Sequence, residues 1–108
     1  MVKYTNERMR RDLKKFLNKV KKNYNIRNAI IFGSRARGDY FLDSDVDLML
    51  ISNDFKDIRF TDRIGDIIEF WNPPIDLEVI CYTPEEFEKK KKQIGIVKTA
   101  VEEGIEVK

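Results

Sequence analysis

The chain has 108 residues, of which 42% are hydrophobic and 37% charged, with a net charge of only +2; this suits a single domain over residues 1–108 with a core of its own. One cysteine and no histidine exclude an internal disulfide, Ser-His and Cys-His catalysis, and histidine-ligated zinc. No apolar run reaches the length of a membrane span and no apolar leader opens the sequence, so a cytoplasmic address and no membrane partner are expected.

From about Asn6 to Lys22, Met9, Leu13, Phe16, Leu17 and Val20 recur at helical spacing, with Arg10, Arg11, Lys14, Lys15, Lys19 and Lys21 over the remaining surface. This predicts an amphipathic helix ended by Asn23-Tyr24-Asn25. Asn28–Phe32 reads as a buried first strand. A Gly33-Ser34 turn and a short helix to about Gly38 follow, then a polar loop through Asp43-Ser44. Asp45–Ile51 is a second strand, and Ser52-Asn53-Asp54 breaks the pattern.

Phe60, Ile64, Ile67, Ile68 and Trp71 space out a second amphipathic helix that Asn72-Pro73-Pro74 stops; Gly65 within it costs about 1 kcal/mol relative to alanine. In a third strand, Ile75–Tyr82, Ile75, Leu77, Val79 and Cys81 share one face, and Asp76, Glu78 and Ile80 the other. Thr83, Pro84 and Glu86 make a capping box with proline in the first turn. A helix or helix pair then runs through Lys89–Lys92, Ile94, Val97, Ala100 and Val101; Gly104 stops it, and Ile105–Val107 can add a last strand. The basic stretches Arg8–Lys22 and Lys89–Lys92 read as solvated helix faces. Nucleic-acid binding is compatible with them but is not the favoured reading. Cys81, in an apolar run, reads as a buried thiol.

The chemistry concentrates around Gly33-Ser34 and Asp45-Val46-Asp47, a pattern of Gly-Ser, ten residues, then Asp-x-Asp. In a strand, Asp45 and Asp47 project from one face with Met49 and Ile51, while Val46, Leu48 and Leu50 cover the opposite face. Adjacent carboxylates repel unless a cation lies between them. Mg²⁺ is commonly held by one or two carboxylates together with substrate phosphates. Gly33 lets a ligand approach the backbone, and the N–H groups and Ser34 hydroxyl at a helix start suit phosphate oxygens. Arg35 and Arg37 point in different directions on a helix; one is placed to reach phosphate or a partner and the other is solvated, and the spacing leaves open which. A phosphate cradle beside a metal clamp suggests a nucleoside triphosphate site.

Gly33-Ser34, Arg35-Ala36-Arg37-Gly38 and Ser44-Asp45-Val46-Asp47-Leu48 together resemble the signature of the DNA polymerase beta-like nucleotidyltransferases. Within that superfamily the chain most resembles the minimal nucleotidyltransferases, known as MntA-type antitoxins when paired with a HEPN-domain toxin. The resemblance implies an α/β fold, a small mixed sheet of three to four strands flanked by helices. It implies transfer of a nucleoside monophosphate, foremost AMP from ATP, to a hydroxyl, with pyrophosphate released. Gly33, Ser34 and one or both of Arg35 and Arg37 would hold the nucleotide. Asp45 and Asp47 would bind two Mg²⁺ ions, or Mn²⁺. A third carboxylate from a later strand completes such sites, and Asp76 fits that pattern best, with Glu78 as substitute. A short chain leaves the acceptor surface to a partner, so the resemblance implies a HEPN toxin whose tyrosine is adenylylated and silenced. The competing reading is a non-catalytic module that masks its partner by contact.

Overall fold

The computed structural model describes residues 3–107. Helix α1 (Asn6–Val20) is capped by the Thr5 hydroxyl, which accepts from the Arg8 N–H, and it buries Met9, Leu13, Phe16, Leu17 and Val20. At about 1.5–3 kcal/mol for each side chain removed from water, this stripe outweighs the weak helical preference of a 15-residue segment. The helix stops short of Lys22; Lys21 to Tyr24 form a turn.

Strand β1 (Asn28–Phe32) leads through Gly33 into the single turn α2 (Ser34–Arg37), and β2 spans Val46–Ile51. Helix α3 (Phe60–Ile68), β3 (Leu77–Tyr82), α4 (Pro84–Lys90), α5 (Ile96–Glu103) and β4 (Ile105–Glu106) complete the chain. The sheet order is β3-β2-β1-β4; β1 runs antiparallel to both β2 and β4, and β2 runs parallel to β3. The expected α/β architecture with a four-stranded mixed sheet is therefore present, including the last short strand.

One sheet face, carrying Ala29, Ile31, Val46, Leu48, Leu50, Leu77, Val79 and Cys81, packs under α1 and α3 with Phe55 and Ile67. The opposite face, carrying Phe32, Met49 and Tyr82, packs under Val97 and Ala100 of α5. The alternation read from β2 and β3 holds on both faces. It also fixes the register, because a one-residue slip would drive Asp47 into the first core.

Two strands start later than expected, β2 at Val46 rather than Asp45 and β3 at Leu77 rather than Ile75, so Asp45 and Asp76 stand just before their strands. The second amphipathic helix ends at Ile68 rather than continuing to Trp71. Trp71 leaves the helix because its indole N–H donates to the Ile75 carbonyl at 2.7 Å and its ring meets Phe16 edge-on at 5.5 Å. Residues 91–95 separate α4 from α5, so the helix pair is the form adopted. Gly104 ends α5 with extended backbone rather than a left-handed turn. Glycine is needed there for space, because a Cβ would collide with the Ala100 carbonyl and Ile30. Among the described residues no helix is long and apolar enough to cross a membrane.

Candidate active site

The α5 face of the sheet is open at the end where β1 finishes and β2 and β3 begin, and four acidic side chains collect there. Asp47 lies opposite Phe32 on β1 and opposite Glu78 on β3. One step earlier, Asp45 precedes β2 and stands beside Asp76, whose carbonyl accepts from the Val46 N–H at 2.9 Å. Parallel pairing of β2 and β3 is what aligns the two acidic pairs, since each strand starts at the same end.

Gly33 closes the β1 side of this end. Its φ of 73° and ψ of −157° form a combination essentially reserved for glycine. A Cβ here would overlap the Asp47 carboxylate, Oδ2 foremost. Glycine is thus demanded twice, by backbone conformation and by the carboxylate lying directly over it. Ser34 opens α2, whose Ala36 and Arg37 N–H groups both return to the Gly33 carbonyl at 3.1 Å. The Ser34 and Arg35 N–H groups precede the first intrahelical bond and suit phosphate oxygen.

The electrostatics are strained. Burial first, then a hydrogen bond and charge from Glu78, then the charge of Asp45, push the Asp47 carboxyl up to about 6, against the pull of Arg37. Asp45 is also raised, by burial and then by Asp76 and Glu78, with Arg35 opposing. Among the described residues no three acidic side chains converge at metal-ligand spacing as they stand; they form pairs, Asp47 with Glu78 and Asp45 with Asp76. Hard oxygen donors with too few nearby cations nevertheless fit a divalent cation, which would relieve the repulsion that raises both aspartates. Of the two candidates for third carboxylate, Glu78 is the one brought up to Asp47, while Asp76 neighbours Asp45.

The two arginines separate sharply. Arg35, expected as a candidate for phosphate, is 1% exposed. Its guanidinium donates to the carbonyls of Tyr4 at 2.5 Å and Ser44 at 2.8 Å, and to the Asn6 side chain at 3.2 Å. It also lies 5.4 Å from the Tyr4 ring centre and 4.7 Å from that of Tyr40. With its donors turned inward, Arg35 clamps the N-terminal segment and the loop before Asp45 instead of meeting phosphate. Arg37 is the exposed one, 3.2 Å from Asp39 and 3.7 Å from Glu103, and its charge is felt by Asp47.

Sequence reading missed two polar clamps, Ser44 at this end and Arg63 at the far end of β3. Ser44 accepts the Phe41 N–H on its hydroxyl at 2.9 Å and receives Arg35 on its carbonyl. Arg63, buried on α3, donates to Glu86 at 2.6 Å and to the carbonyls of Cys81 and Ile58. Glu86 also accepts from the Thr83 N–H, completing the expected capping box. An arginine amid the apolar spacing of a helix is the one signal that marked Arg63. Cys81 is buried as expected, and burial pushes its thiol up to about 12, far from reactive thiolate.

Comparison with known proteins gives the same picture. Residues 13–107 match the family described as "Nucleotidyltransferase domain". A segment of 43 residues is 42% identical to the "Putative protein adenylyltransferase MJ0604" of Methanocaldococcus jannaschii, covering 38% of this chain and 43% of that relative. The match thus spans less than half the length of that curated relative. The crystal structure of "a putative nucleotidyltransferase from Sulfolobus solfataricus" superposes with a TM-score of 0.68 at 24% identity, covering 94% of this chain and 80% of that one. That similarity speaks for the fold. With the Gly-Ser turn and the acidic pairs standing where the strands begin, the chain belongs to the nucleotidyltransferase domain family.

Proposed function

We propose that the chain transfers AMP from ATP to a hydroxyl on an acceptor protein. The observation carrying this reading is the meeting of the Asp45 and Asp47 strand with Gly33 and Glu78 at the open end of the sheet. The printed name of the Methanocaldococcus relative, a protein adenylyltransferase, supports the choice of AMP and of a protein acceptor. Asp45 and Asp47 would hold Mg²⁺, or Mn²⁺, with Glu78 as third ligand and Asp76 beside Asp45. When bound, the ions supply charge neutralisation for the triphosphate and polarise its α-phosphorus.

The chain's own residues do the rest. Gly33 leaves room for the Asp47 carboxylate that lies over it, and the N–H groups at Ser34 and Arg35 and the Ser34 hydroxyl donate to the oxygens of the outer phosphates. Arg37 faces solvent close to Asp47 and can neutralise the departing pyrophosphate. The acceptor oxygen bonds to the α-phosphorus as the bond to the bridging oxygen breaks, and the hydroxyl proton passes to the Glu78 carboxylate. Positioning and electrostatics suffice for such a transfer, and no histidine is needed.

By resemblance, the acceptor is a tyrosine of a HEPN-type toxin and the chain is its antitoxin. The test is co-expression with such a toxin, followed by incubation with ATP labelled at the α-phosphate. The expected result is labelled toxin and restored growth, both lost in Asp45→Asn, Asp47→Asn. Restored growth with no label, equal for wild type and variant, would replace catalysis with masking by contact. Within the site, Glu78→Gln is expected to cut transfer at least a hundredfold and Asp76→Asn less; the reverse order would return the third-ligand role to Asp76.

A further inference from the structure

On the same sheet face as the acidic pairs, but running from Ile80 toward the far end of β3, lies an open groove of about 370 Å³ between the start of α3 and the α4–α5 connection. Its walls are Phe60, Ile80, Tyr82, Ile94, Ile96 and Val97. Ile80 follows Glu78 by two residues on one face of β3, so the groove begins roughly 7 Å from the proposed third ligand. Phe60 and Tyr82 form its aromatic side, with ring centres 5.6 Å apart. Ile94 is 97% exposed, Ile96 55% and Phe60 43%. Three large apolar side chains kept in water around one cleft are more than scattered surface residues, and such patches commonly mark interaction sites.

The rim carries the opposite charge to the site. Lys90 lines the groove, and Lys89 and Lys92 are exposed beside it. Lys91 is taken by Glu88 at 2.9 Å, whereas no ion pair involves Lys89, Lys90 or Lys92 among the described residues. An occupant must offer aliphatic side chains to the walls and carboxylates to the rim. A second copy of this chain fits poorly, because a two-fold contact through this face would set lysine against lysine. Nucleic acid would be drawn by the lysines and find Phe60 to stack on, but the most exposed walls, Ile94 and Ile96, are aliphatic and suit aliphatic side chains better than bases.

We propose that this groove docks the acceptor protein through an extended segment bearing aliphatic and acidic residues, its target hydroxyl lying to the Glu78 side. The proposal rests on the adenylyl-transfer reading of the site. It gives the lysine run a second role beyond keeping the helix solvated: orienting the acceptor so that its negative charge sits at the groove, away from the acidic end.

The test uses a fluorescein-labelled peptide, Leu-Glu-Leu-Glu-Gly-Tyr, and a control with lysine in place of glutamate, followed by fluorescence anisotropy. The intact chain is expected to bind the acidic peptide at least tenfold tighter than the control. Ile94→Asp and Lys90→Glu should each weaken that binding at least fivefold, with Mg²⁺–ATP titration unchanged. Ile94 is nearly all in solvent, so its substitution leaves the fold in place. Equal binding of both peptides, or no effect of Ile94→Asp, would overturn the proposal. So would a 12-residue oligouridylate that binds in competition with the peptide, or a concentration-dependent dimer abolished by Ile94→Asp. Peptide binding as expected with no Mg²⁺–ATP binding would uphold the groove and refute the transfer reading separately.

Discussion

Arg35 donates to the carbonyl oxygen of Ser44 from Nε at 3.1 Å and from Nη2 at 2.8 Å, and Ser44 is the residue before Asp45. The second residue of the Gly-Ser motif's helix thereby holds the loop that delivers the first aspartate. Arg35→Ala would leave buried carbonyls without partners, and a loss of about 3 kcal/mol is expected in urea unfolding. Arg35→Lys should recover only part of it, because an ammonium cannot fork across carbonyls on separate segments.

Gly33→Ala is expected to damage the site more than its size implies. The left-handed φ of 73° and the overlap with Asp47 both oppose a methyl group. The strain should cost about 2 kcal/mol of stability and displace the Asp47 carboxylate. Thermal unfolding and metal titration should fall together; an alanine variant with normal metal affinity would contradict the close approach described here.

Asp47 gives a result with the opposite sign for stability. Its carboxyl is raised from 3.8 to about 6 in the folded chain, so the native state holds a proton that the unfolded state has released. Its contribution is therefore fully present below about pH 4 and is lost as pH rises through 6. Asp47→Asn removes this repulsion and should stabilise the metal-free protein at pH 8 by about 1 kcal/mol, while weakening Mg²⁺ binding. Melting curves at pH 5 and pH 8 check it: the variant's advantage should be small at pH 5 and larger at pH 8.

Glu86 works in the reverse direction. Burial alone would raise its carboxyl, but the Arg63 hydrogen bond, the Thr83 N–H and the Arg63 charge hold it below 4.5. A depressed carboxylate contributes stability above its unfolded pKa and loses it as pH falls through the folded value. Glu86 is 40% exposed on its side chain, so solvent screens the pair, and Glu86→Gln is expected to cost only about 1 kcal/mol at pH 7. Urea midpoints of wild type and variant should converge in acid, below about pH 4.

The strands and the site were legible because their signals are local. Asp45, Val46, Asp47 and Leu48 alternate by type, and the same alternation recurs from Ile75 to Cys81, so faces could be assigned without tertiary information. Gly33 and Ser34 stood at the strand-to-helix break where a phosphate turn belongs. The pairing of Glu78 with Asp47 was hidden because it depends on parallel register between strands 31 residues apart in sequence. Arg35 was misplaced for a related reason. An arginine beside a phosphate turn resembles a ligand contact, and only the fold brings Tyr4, Asn6 and Ser44 around its guanidinium. Trp71 left its helix because Ile75 and Phe16 offered it better partners than another helical turn did.

The most direct measurement is calorimetric titration of Mg²⁺–ATP into the protein and into its Asp45→Asn, Asp47→Asn variant. The expected result is metal-dependent binding by the wild type, abolished in a variant that remains folded and melts no lower without metal. Equal binding by both proteins, or no binding by a folded wild type, would contradict the assignment of the acidic sheet end as the nucleotide site.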